Sequence, residues 1–139
     1  MALGAGHGVH RYPGKFYQSL TKRLLAFAKA EFELEVLQDG VSVRDHLTQA
    51  EKSGRKKDPK YSIPELHPPP PPRVLNYLWG WFCELEQTRD SSGFGLSGIK
   101  YREILAWSLL TGRSPTPWEI SVIKRLDMAR LKIISENSK

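Results

Sequence analysis

The sequence predicts an all-α fold, about five helices in a small bundle-like domain with a proline-rich extended connector. Three observations predict it. Apolar residues recur at three- and four-residue steps in five separate stretches, no stretch alternates apolar with polar residues as a half-buried strand does, and seven of the eighteen residues between Arg55 and Pro72 are proline. At 139 residues the chain falls in the range of one domain, and its 40% hydrophobic and 26% charged residues are those of an ordinary folded protein.

Residues 1–14 are punctuated by Gly4, Gly6, Gly8, Pro13 and Gly14 and read as a flexible N-terminal arm. Residues 15–54 hold two helices. In the first, from Lys15 to about Glu35, Phe16, Leu20, Leu24, Phe27 and Leu34 gather on one face. "QDG" (38–40) breaks it, and "SVRDHLTQAEKSG" starts a second, with Ser42 as N-cap, Gly54 as stop and a thin stripe of Val43, Leu47 and Ala50. Residues 55–72 form the connector, expected in polyproline conformation because proline can neither continue a helix nor donate to a ladder.

Residues 73–139 are predicted to form a three-helix, aromatic-rich core. Pro72 suits the first turn of a helix from Arg73 to about Arg89, whose stripe is Val74, Leu75, Leu78, Trp81, Phe82 and Leu85 with Trp79 on its flank. After the glycine-serine loop "DSSGFGLSG" (90–98), "IKYREILAWSLLTG" predicts a helix ending at Gly112, with Ile104, Leu105, Trp107 and Leu109 as its bulk. In "TPWE", Thr116 caps the last helix, Pro117 fills its first turn and Glu119 reaches back to the Thr116 amide. Trp118, Val122, Leu126, Ala129 and Ile133 follow on one face.

A net charge of +6 suggests nucleic acid, but the basic residues are spread along the chain, and "GRKKDPK" (54–60) is the densest patch. Cys83 is alone, which excludes an intrachain disulfide and favours a reducing compartment. The first residues lack the apolar stretch of a signal peptide, and no run approaches the length that spans a bilayer. The expected location is therefore the cytosol.

The sequence offers no catalytic constellation. His7, His10, His46 and His67 lack the spacing of a zinc site, and no nucleophile elbow or phosphate-binding loop is present, so no metal, cofactor or enzymatic activity is expected. Asp127 is either a solvated residue or an anchor for an arginine from a neighbouring helix. Among the tryptophans, Trp81 and Trp107 read as core, and Trp79 and Trp118 as partly exposed and open to a partner.

Taken in order, "DGVSVRDHL" (39–47), "PELHPPPPPRVLNYLWGWFCELEQTRDSSGFG" (64–95) and "IKYREILAWSLLTGRSPTPWEISVIKRLDMARL" (99–131) resemble the small tail assembly chaperones of long-tailed bacteriophages. Tyr77, Leu78, Trp79, Trp81, Phe82, Glu84 and Leu85 match the "YLWxWFxEL" block, followed by an Arg, here Arg89. Glu103, Ile104, Ala106 and Trp107 match "EIxAW", and Pro117, Trp118, Glu119, Leu126, Asp127 and Leu131 the last block. Residues 1–35 fall outside the resemblance.

The resemblance implies a non-enzymatic factor that binds the tape-measure protein and helps tail-tube subunits polymerise around it, acting in the host cytoplasm and leaving before the virion is complete. Under it the candidate partner-binding residues are Tyr77, Trp79, Arg89, Trp118 and Asp127, with self-association a further option. The rivals are a helix-turn-helix DNA-binding protein and a minor structural component of the tail or connector. Against the first stands the start of the last helix, where Pro117, Trp118 and Glu119 are apolar and acidic rather than the Arg, Asn or Gln that read bases.

Overall fold

A computed structural model describes residues 14–89, 91–92 and 95–138. The expected flexible arm therefore lies outside the described residues except for Gly14, as do Asp90, Gly93 and Phe94 of the glycine-serine loop. The all-α expectation holds: there are five α-helices, with two 3-10 turns and two hairpins of two-residue strands among the described residues.

Helix α1 (Lys15–Leu34) buries Leu20, Leu24, Ala28, Phe32 and Leu34, while Phe16 at its start stays 67% exposed. Strands β1 (Leu37–Gln38) and β2 (Val41–Ser42) then reverse the chain. Asp39 and Gly40 both take left-handed φ values, 56° and 81°, as a two-residue hairpin turn demands, and Asp-Gly is a pair that tolerates them. Ser42 caps helix α2 (Val43–Arg55), its hydroxyl accepting from the Asp45 amide at 3.1 Å.

Helix α2 runs one residue past the expected stop at Gly54. The Tyr61 ring lies where a Cβ at residue 54 would stand, so this glycine serves a close approach rather than a chain reversal. Arg44 ties α2 to α1 through Glu31 at 2.6 Å and Glu35 at 3.0 Å. At the other end Glu51, buried, accepts from the Ile63 amide and meets His67 Nε2, both at 2.9 Å, and so pins the connector to α2.

The connector contains a 3-10 turn at Pro64–Leu66. Pro72 does not lead straight into an α-helix. It precedes a second 3-10 turn, Arg73–Leu75, which leaves Leu75 buried and Val74 60% exposed before α3 (Asn76–Glu86) begins. The short strands β3 (Ser91–Ser92) and β4 (Gly95–Leu96) pair, and α4 (Tyr101–Thr111) ends as expected at Gly112, whose φ is 71°. Helix α5 (Pro117–Asn137) opens on the predicted capping box: the Glu119 amide donates to Thr116 Oγ1 at 3.2 Å, and the Thr116 amide to Glu119 Oε1 at 2.7 Å.

Helices α1, α3 and α5 run in the same direction. Tyr17 meets Trp118 near two of the starts, and further along Arg130 lies over Phe32 and bonds Glu86 at 2.8 Å. Their facing residues, including Leu24, Ala28, Phe32, Leu78, Phe82, Leu85, Val122, Ile123 and Leu126, form one core. Helix α1 packs more extensively on α5 than any other pair of helices does, so it is a full wall of the core. Helices α2 and α4 return the chain between the parallel three.

Candidate functional site

Parallel packing brings three helix starts to one end of the bundle, and each start carries aromatic residues. Phe16 and Tyr17 open α1, Tyr77 is the second residue of α3, and Trp118 the second of α5. Phe16 meets Tyr17 edge-on, and Tyr17 meets Trp118 likewise, each at 5.6 Å between centroids. Tyr77 meets Trp81 at 5.0 Å, and Trp81 meets Trp107 at 5.4 Å.

The Tyr77 phenol joins the two series. Burial, the neighbouring Glu119 carboxylate and nearby Tyr17 together push it far above the usual tyrosine range, so it stays a neutral donor beside Glu119. Arg113 closes the band, its guanidinium 5.9 Å from the Trp81 ring and 5.3 Å from the Trp107 ring while Nη1 donates to Glu84 at 2.9 Å. Phe16 is 67% exposed, Tyr17 and Tyr77 only 43% and 40%, and Trp81 and Trp118 are half-buried. Trp107 is buried as expected, whereas Trp81, expected in the core, is half-buried.

A second apolar surface adjoins this band on α4. Leu105 and Leu109, expected to contribute to the core, are 60% and 74% exposed, as are Tyr101 at 67% and Leu110 at 87%. Helix α4 reaches the core through Ile104 and Trp107 and packs at the edge of the bundle, so its opposite side is left uncovered among the described residues. A signal for this was present: α4 is apolar on more than one face, more than an edge helix needs.

The other candidate residues lie elsewhere. Trp79 is half-buried among Phe27 at 5.2 Å, Phe32 at 5.8 Å and Phe82 at 5.8 Å, a different cluster from that of Tyr77. Arg89 and Asp127 form an ion pair at 2.6 Å with side chains only 3% and 4% exposed. Asp127 is thus the anchor of the two alternatives left open for it. Its second oxygen accepts from the Ile99 amide at 2.9 Å, and Arg89 Nη1 donates to the Ser97 carbonyl at 3.0 Å. This pair joins the end of α3 to the entry of α4 and to α5, and faces inward. Tyr77 and Trp118 are candidates in the sequence, whereas Phe16 reads there as part of the apolar face of the first helix and Tyr17 is not singled out, since only the mutual direction of the helices brings these four to one end.

Among the described residues no group of three or more His, Cys, Asp or Glu is placed to hold a metal ion. The Cys83 thiol is pushed up by burial and by Glu86 and Glu31, which keeps it protonated. Chemically the surface offers exposed rings with Arg113, Glu119 and the Tyr77 hydroxyl beside them.

By fold and surface the chain is a small all-helical domain with an exposed aromatic end. A family model described as phage tail assembly chaperone matches residues 50–132, more than half of the chain, and the protein belongs to that family. No similar chain was found among curated proteins or solved structures. The matched region takes in α3, α4 and most of α5, but not α1, which closes their core. No helix among the described residues is long and apolar enough to cross a membrane.

Proposed function

We propose that this protein is a non-enzymatic assembly chaperone that binds the phage tape-measure protein and promotes polymerisation of the tail tube around it, in the host cytoplasm and without remaining in the virion. The family match supports the general role. The observation that carries the binding reading is the aromatic end, where Phe16, Tyr17, Tyr77 and Trp118 project from three parallel helix starts. Rings of this kind are the usual anchors at protein interfaces, because they offer large, stiff apolar area with a polar edge. Trp79, Arg89 and Asp127 serve this reading indirectly, by holding α3 against α1 and α5.

The test is co-expression with the tape-measure and tail-tube proteins of the same phage. A soluble complex should be recovered with the tape-measure protein, and Trp118→Ala should weaken it by roughly 2 kcal/mol or more, about thirtyfold, with the circular dichroism spectrum retained. Sequence-specific binding to duplex DNA at physiological salt, with neither tail protein recovered, would overturn the reading in favour of the helix-turn-helix rival.

A further inference from the structure

The open side of α4 is a second surface beside the aromatic end, and its surroundings say what it fits. Tyr101, Leu105 and Leu109 follow one another at four-residue steps on one face over about 12 Å of helix, and Leu110 lies about 100° further round. Tyr101, Leu105 and Leu109 make an exposed apolar patch on the order of a few hundred Å², the size at which patches on single chains tend to be functional.

Cations flank the patch. Lys124 Nζ sits 4.6 Å from the centroid of the Tyr101 ring while donating to the Ile99 carbonyl at 2.6 Å. Arg102 lies on the other side of the stripe with its side chain 72% exposed, and Lys100 precedes the helix. Arg113, beyond the C-terminal end of α4, is already paired with Glu84. The one carboxylate on α4 is Glu103, 3.9 Å from Arg102 and half-buried.

We infer that this face docks an amphipathic helix of another protein whose apolar stripe is bordered by acidic residues. Leucines at three- and four-residue steps on the partner match the line of Tyr101, Leu105 and Leu109, and carboxylates on its borders meet Lys100, Arg102 and Lys124. A second copy of this chain is the poorer occupant, because the only carboxylate on α4 is Glu103, half-buried and beside Arg102, so a second α4 offers no free acidic border to meet Lys100, Arg102 and Lys124. Residues 1–13 of the chain itself carry Arg11 and no Asp or Glu, so they lack the complementary charge as well. The inference rests on this surface alone and adds to the assembly reading.

The experiment uses the full chain and two synthetic helical peptides with the same leucine stripe, one bordered by glutamate and the other by lysine, followed by fluorescence anisotropy. The glutamate peptide should bind saturably, and weaken as salt is raised through the physiological range. The double variant Leu105→Ala, Leu109→Ala should lose at least tenfold in affinity, with its thermal melting unchanged because both side chains are exposed. The lysine peptide should show no saturable binding. Equal binding of both peptides, or binding insensitive to the double variant, would overturn the inference. So would light scattering that shows a dimer of the wild type dissociating on Leu109→Asp, since a second copy would then be the occupant. Capture of the tape-measure protein is scored separately: if it persists in a chain that binds neither peptide, the docking face is refuted while the chaperone role stands.

Discussion

Helices α3 and α4 are both eleven residues long and each carries seven apolar residues, yet they use them differently. Helix α3 lies between α1 and α5 and buries Leu78, Phe82 and Leu85 completely. Helix α4 touches the core with Ile104 and Trp107 and leaves Tyr101, Leu105, Leu109 and Leu110 in solvent. Composition sets how much apolar surface a helix offers, but its position in the bundle sets how much is consumed. The surplus on α4 stays exposed, and it is the surface on which the docking proposal rests.

The contrast can be broken most strongly from the α3 side. Phe82 has no exposed surface and meets Phe32 at 5.7 Å and Trp79 at 5.8 Å, so Phe82→Ala should cost about 3 to 5 kcal/mol in urea denaturation. A loss below 1 kcal/mol would mean that α3 is not central.

The joint between the two helices is sharpened by pH. Glu84 on α3 accepts from Arg113 and, at 3.5 Å, from Trp107 Nε1, and the Arg113 hydrogen bond foremost holds its carboxyl below the ordinary value of 4.5. A depressed value in the folded state means that the charged carboxylate stabilises above that ordinary value, and that this contribution disappears as pH falls through the lower, folded value. The stability difference between wild type and Glu84→Gln should therefore be constant above pH 4.5 and shrink below it, with Trp107 emission reporting any loosening of α4. A difference that grows in acid would reverse the assignment.

The smallest effect is expected on the open side of α4. Leu110→Ser should change stability by no more than about 0.5 kcal/mol in the same denaturation measurement. A cost comparable to that of Phe82→Ala would show that the face is covered in solution.

The features legible in the sequence are those a few neighbouring residues decide. The Thr116–Glu119 capping box, the Ser42 cap and the Gly112 stop each depend on chemistry within about one turn, and each is where the residue types placed it. Two other readings failed on contacts from further away. Gly54 read as a stop, but Tyr61 packs on it; Pro72 read as the first helical residue, but a 3-10 turn intervenes with Leu75 buried. Of the candidate site, Trp118 is legible from its place at the start of the last helix, and Tyr77 only through the "YLWxWFxEL" resemblance.

The sequence by itself determined five helices, their order, three of their caps and the all-helical class, because periodicity and capping act between residues close in the chain. Only the tertiary structure decided that α1, outside the family match, is a wall of the core, that Asp127 anchors Arg89, and that Phe16, Tyr17, Tyr77 and Trp118 share one end. The physical reason is that an apolar stripe states that a helix has a side to cover, while which neighbour covers it depends on the mutual direction of helices separated by up to a hundred residues. For α4 the stripes were visible on two sides, and the packing alone shows which of them faces water.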